Sequence, residues 1–196
     1  MQFMGRSPLV LVYYLCRIGD RLVLYLLKPT MTESSVAGLT NLEPVLIHAA
    51  RLGETAVIQE LIDRHTNVNA RDEKGYTPLI IACYNHQFEA ARLLLQAGAD
   101  VNAQDFGGNT ALMGVSFKGY TDLAELLIAQ GADLNLQHGN GGTALMFAAM
   151  FGRNEVVKLL LQYGADKTIR DVRGLTVMDL ALQQNNIEAA ELLKDE

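Results

Sequence analysis

Apolar positions in residues 77–97 recur at helical spacing in two short runs. Leu79, Ala82 and Cys83 share one face of a helix predicted over Thr77 to Asn85, and Ala91, Leu94 and Leu95 share one face of a second, from about Phe88 to Ala97. Thr77 before Pro78 reads as an N-cap followed by the helix position that tolerates proline. Gly98 reads as the residue that stops the second helix. Alanines at 82, 90 and 91 let the pair approach closely, and Ala103-Gln104-Asp105-Phe106-Gly107-Gly108 is rich in turn formers. Helices under about a dozen residues are marginal alone in water, so this pair needs neighbours to bury its apolar side.

The neighbours are in the sequence. Thr77, Thr110, Thr143 and Thr176 recur at one constant interval, in Gly75-Tyr76-Thr77-Pro78-Leu79, Gly108-Asn109-Thr110-Ala111-Leu112, Gly141-Gly142-Thr143-Ala144-Leu145 and Gly174-Leu175-Thr176-Val177-Met178. Gly98-Ala99-Asp100-Val101-Asn102, Gly131-Ala132-Asp133-Leu134-Asn135 and Gly164-Ala165-Asp166-Lys167-Thr168 keep the same period. Pro44-Val45-Leu46-Ile47-His48-Ala49-Ala50 falls into place one step earlier. Such a period predicts a linear array in which each unit packs only on its neighbours.

These motifs resemble the ankyrin repeat family, with Thr-Pro-Leu opening the first helix and Gly-Ala-Asp-Val-Asn closing the second. The resemblance implies an all-α, ankyrin-type helical solenoid of stacked helix-turn-helix units with short β-hairpin turns. It divides the chain into a segment 1–40, a helix pair 41–69, full repeats 70–102, 103–135 and 136–168, and a truncated last repeat 169–196. It also implies recognition of a partner protein. Ile80, Met113, Met146 and Asp179 replace the histidine usual after Thr-Pro-Leu, which removes its bonds between turns. Gly53, Gly119 and Gly152 keep the glycine between helices, where His86 and Gln184 are read as replacements. His138 replaces the turn aspartate seen as Asp72, Asp105 and Asp171, so the third hairpin is expected to be looser. Family asparagines at the place of Asn69, Asn102 and Asn135 are sometimes hydroxylated; the expected role here is bonding within the turn.

Composition narrows the partners. The 196 residues carry 16 Lys+Arg against 22 Asp+Glu, a net charge of −6, which offers no general attraction to nucleic acid. Cys16 and Cys83 are too few for a disulfide framework, and no C-x-x-C spacing exists for zinc. The charge is uneven: over positions 1–30, Arg6, Arg17, Arg21 and Lys28 face only Asp20, leaving 12 basic and 21 acidic side chains for the rest.

No constellation for chemistry emerges. Gly139-Asn140-Gly141-Gly142 lacks the Lys-Ser/Thr of a phosphate loop and sits at a hairpin. Ser116 lacks the second glycine of a nucleophile elbow and occupies a small-residue core position. His48, His65, His86 and His138 come singly, without metal spacing, and Cys83 reads as a buried, inert thiol. Glu89, Glu125 and Glu155 recur on outer helices as a solvated face. The expectation is a monomeric, cytoplasmic, non-enzymatic protein with no cofactor, no metal and no small-molecule substrate, binding an unidentified protein.

In an array the non-repeating positions carry specificity. On the hairpins these are Arg71, Glu73, Lys74 and Tyr76, then Gln104, Phe106 and Asn109, with Gln137, Asn140, Arg170, Val172, Arg173 and Leu175 beyond. After the inner helices come Tyr84, Asn85, Phe117, Lys118, Met150 and Phe151. Tyr76, Tyr84, Phe106, Phe117, Met150 and Phe151 are expected to form an aromatic-methionine stripe, the kind of surface that carries binding hot spots.

Residues 1–30 admit three readings. Arg6 and the apolar Pro8–Cys16 stretch suggest a targeting segment with Ser35-Val36-Ala37 as cleavage site, though Arg17, Asp20 and Arg21 interrupt the run. Cys16-Arg17-Ile18-Gly19-Asp20-Arg21-Leu22-Val23 aligns with Ala50-Arg51-Leu52-Gly53-Glu54-Thr55-Ala56-Val57 as a degenerate extra repeat. Alternatively the natural start is Met31. Membrane association, and with it a tethered or exported binding protein, arises only through this segment.

Overall fold

The computed structural model describes residues 13–18, 21–26 and 41–194, in two units that divide at Leu42. In the first unit, β1 (Tyr13–Ile18) and β2 (Arg21–Leu26) pair antiparallel, with Tyr13 opposite Leu26 and Ile18 opposite Arg21. The degenerate-repeat reading expects helix here, but the backbone is extended. The aromatic and aliphatic residues of both runs, Tyr13-Tyr14-Leu15 and Leu22-Val23-Leu24-Tyr25, favour strand and account for it. Arg6, Pro8, Met31 and Ser35-Val36-Ala37 lie outside the described residues.

The second unit repeats one helix pair. Inner helices α1 (Glu43–Leu52), α3 (Pro78–Tyr84), α5 (Ala111–Lys118), α7 (Ala144–Met150) and α9 (Val177–Gln183) stack on one another. Outer helices α2 (Thr55–Asp63), α4 (Phe88–Gln96), α6 (Thr121–Ala129), α8 (Asn154–Gln162) and α10 (Ile187–Leu192) form the second layer. The all-helical solenoid expected from the period is the observed fold of this unit. Thr77, Thr110 and Thr143 each accept the N–H of the third residue of their helix, as N-caps do. Thr176 does so within a full capping box, because Asp179 Oδ2 accepts the Thr176 N–H at 2.8 Å. Asp179 thus has a structural use that Ile80, Met113 and Met146, all buried, cannot have.

Successive hairpins are sewn together by backbone bonds. The Phe106 N–H donates to Lys74 O at 3.2 Å, Gly139 N–H to Gly107 O at 2.9 Å, and Val172 N–H to Asn140 O at 3.1 Å. Within a hairpin, Asp72, Asp105 and Asp171 each accept the N–H groups two and four residues on. The Leu175 N–H, ahead of the Arg173 guanidinium, holds the Asp171 carboxyl below the usual carboxylate range. At the third hairpin His138 Nδ1 accepts the Gly142 N–H at 2.9 Å, so the imidazole keeps the longer of these two bonds. The turn still closes through the Gly141 N–H to His138 O at 2.7 Å.

Two sequence assignments change. The left-handed residue between α9 and α10 is Asn185, at φ +54°, while Gln184 caps α9 at φ −88°. Asn185 stands one full repeat after Gly152, and asparagine tolerates that conformation. Asn69, Asn102 and Asn135 donate their backbone N–H within their own turn, to Asn67, Asp100 and Asp133, while their side chains bond outward. Their Oδ1 atoms accept the N–H of Asp100, Asp133 and Asp166 in the next repeat, each at 2.8 Å. Their amides are inter-repeat rivets.

Candidate functional site

Hairpins and inner helices enclose a groove with a cavity of about 530 Å³. Register explains its make-up. Ile80 and Met113 occupy one repeat position of the floor, and Ile81, Gly114 and Phe147 occupy the adjacent one. Tyr84 and Phe117, again equivalent positions of successive repeats, form the wall at the helix C-termini, their rings near-parallel at 6.5 Å between centroids. Tyr76 and Asn109 form the hairpin wall. The Lys118 ammonium lies 4.4 Å from the Tyr84 ring centroid, a cation–π contact that extends the wall with a positive charge. Phe117 meets Phe151 edge-on at 4.5 Å.

Of the candidate residues, Tyr76, Tyr84, Asn85, Asn109 and Phe117 line this groove. Phe151 is 43% exposed beside it, and Phe106, 74% exposed, lies on a hairpin tip against Gly75. Met150 lines a neighbouring cavity of about 450 Å³ with Asn140, Val172 and Arg173. Glu73 and Lys74 are exposed at the first tip. Arg71 and Gln104 are engaged within the array. Arg71 Nη1 donates to the carbonyls of Gly75 and Gln104, and Gln104 Nε2 to those of Gly108 and Gln137. Gln137 and Arg170 continue this ladder. Sequence reasoning missed the floor. Gly114 was the available signal: a glycine inside a helix, between Ile81 and Phe147 at the same repeat position, is a side chain deliberately missing.

Cys83, His86 and Ser116, weighed above for chemistry, are packed or paired. Cys83 is fully buried, and burial pushes its thiol well up. His86 stacks on Tyr120 at 4.0 Å and pairs with Asp122 at 3.1 Å. Among the described residues no group of three or more His, Cys, Asp or Glu could hold a metal ion. Ser116 is fully buried with no partner for its Oγ, at a position filled by Ala50, Cys83 and Ala149 in other repeats. An unpaired buried hydroxyl is costly. Ser116→Ala is therefore expected to raise the unfolding free energy by about 1–2 kcal/mol, seen as a higher melting temperature. A lower melting temperature would show the hydroxyl to be supported.

A family model described as ankyrin repeats (3 copies) matches residues 12–105 and 108–196, and one described as ankyrin repeats (many copies) matches residues 83–128. The chain belongs to the ankyrin-repeat family. The first match takes in the β1–β2 segment as well as the helical array. Ankyrin repeats are a protein-interaction module, typically without enzymatic activity of their own, and this chain carries such a module. Palmitoyltransferase akr1 of Emericella nidulans is 35% identical over 74 residues, which cover 37% of this ankyrin chain and 10% of that protein. The chain thus spans a tenth of the length of that curated relative. Among the described residues no helix is long and apolar enough to cross a membrane.

Proposed function

We propose that this ankyrin array is a non-enzymatic, monomeric, cytoplasmic binding protein that holds one partner protein across its groove and hairpin tips. The observation that carries the proposal is the groove itself: rigid aromatic walls from Tyr76, Tyr84 and Phe117 around an apolar floor, continued outward by exposed Phe106 and Phe151. Aromatic anchors with polar neighbours supply most of the energy of protein interfaces. A standard interface takes about 800 Å² from each partner, an area that three or four adjacent hairpins and their helices span. Arg71 and Gln104 contribute by fixing the spacing of the tips, while Glu73, Lys74, Asn109, Lys118 and Met150 border the contact.

The test is a triple substitution, Phe106→Ala, Phe117→Ala and Phe151→Ala, followed by affinity purification and mass spectrometry against the unmodified chain. The expected result is loss of the specifically captured protein with a retained helical circular-dichroism spectrum. Undiminished capture by the triple variant removes these three rings from the interface.

A further inference from the structure

The partner's chemistry is written into one part of the groove. Resting on the binding role proposed above, we propose that the notch over Gly114 takes a single bulky apolar side chain from an extended peptide segment of the partner, and that acidic residues flank that anchor. The notch is one side chain wide, because Gly114 stands between Ile81 and Phe147 at the same repeat position. It is open above: a Cβ built on Gly114 meets only the edge of the Tyr84 ring, at an ordinary 3.6 Å. Ile81, Phe147, Phe117 and the ring edge of Tyr84 give the notch apolar walls, so the occupant's inserted group is apolar.

Charge and hydrogen bonding select the rest. Arg51 lines the groove at one side and Lys118 covers Tyr84 at the other; neither has a carboxylate partner among the described residues. The one carboxylate in the lining, Asp105, is taken up internally. Both its oxygens accept from Asn109 Nδ2, at 3.1 and 3.0 Å, and Oδ1 also accepts the N–H groups of Gly107 and Asn109. Those bonds leave Asp105 its charge, but Arg51 and Lys118 outnumber it two to one, so in a chain of net charge −6 this groove is locally positive. Asn85 donates its Nδ2 to Ile81 O at 2.8 Å, as Asn109 donates its own to Asp105. Each amide thereby keeps Oδ1 as an acceptor on the groove lining, matched to the N–H groups of an extended backbone. An aliphatic lipid chain offers no such donors. A basic partner would meet Arg51 and Lys118 with like charge.

A random-peptide phage library selected on the full chain tests this directly. The expected enrichment is peptides with one Leu, Ile, Met or Phe and an Asp or Glu within a few residues of it. A synthetic consensus peptide, measured by fluorescence anisotropy, is expected to bind at least about tenfold more weakly to Gly114→Leu, which fills the notch. The surface pair Arg51→Glu and Lys118→Glu is expected to weaken it similarly and to shift the selected flanks from acidic to basic. This pair leaves the packed core untouched, so it reads out binding even if Gly114→Leu perturbs the helix. No enrichment, flanks without an acidic bias, or selected peptides indifferent to both variants would overturn the notch. Peptides insensitive to Gly114→Leu yet lost on Phe106→Ala with Phe151→Ala would overturn the notch alone and leave the array a binding protein.

Discussion

Replacing Leu127 with alanine is expected to lower the unfolding free energy by about 3–5 kcal/mol, measured by urea denaturation followed by circular dichroism. Leu61, Leu94, Leu127 and Leu160 occupy the same place in successive outer helices, and each is fully buried. Leu193, at the equivalent place beyond α10, is 4% exposed. The row is a continuous leucine spine running through the second layer. Each repeat contacts only its neighbours, so its stability is a sum of local terms and two interfaces. Leu127 lies in α6, between α4 and α8, and truncation there leaves a cavity against both. Leu193→Ala, with a repeat on one side only among the described residues, is expected to cost about 2 kcal/mol, at the low end for such a truncation. Equal losses at the two positions would contradict the nearest-neighbour account. The same row explains how such short helices persist in the outer layer: none is stable alone, and each is held by the leucines above and below it.

The architecture was legible because the repeat period states which positions are equivalent, and equivalence is all that stacking requires. The threonine N-caps, the buried faces of both helices and the family followed from it. Partners of a polar side chain did not follow. Asn102 looks like a turn residue in sequence, yet its oxygen reaches Asp133 in the next unit, a relation that depends on how far one repeat rises over another. Arg71 and Gln104 read as variable tip residues for the same reason, although the carbonyls they bridge belong to adjacent hairpins. The groove was half legible. Tyr84, Phe117 and Tyr76 announce themselves by size, whereas Gly114 contributes by absence, and a pattern of large apolar residues passes over it. His138 shows the converse. The loss of the turn aspartate was visible, but not that an imidazole nitrogen can accept the N–H four residues on, with Gly142 leaving room for the ring.

Gly141→Ala and Gly174→Ala are expected to differ sharply, although the two glycines have nearly the same backbone. Gly141 has φ +80° and Gly174 φ +77°, so an alanine at either incurs the left-handed strain of about 1–2 kcal/mol. Their surroundings separate them. A Cβ on Gly174 would have nothing within 4 Å. One on Gly141 would lie 2.9 Å from both Asp171 Cα and Val172 N, and 3.1 Å from Asp171 C, all backbone atoms of the next hairpin. Backbone cannot rotate away as a side-chain tip can. The hairpins must move apart instead, and the bond from the Val172 N–H to Asn140 O is lost with the contact. Gly174→Ala should therefore cost about 1–2 kcal/mol and Gly141→Ala about 3 kcal/mol or more. Hydrogen exchange supplies the second measurement. In Gly141→Ala the amides of Val172 and of α9 and α10 should lose protection ahead of those in α3 to α6, because the last repeat is freed from its only described neighbour. Equal destabilisation by the two alanines would show that the hairpins do not rest on one another in solution, and the groove walls built from Tyr76 and Asn109 would lose their fixed spacing with them.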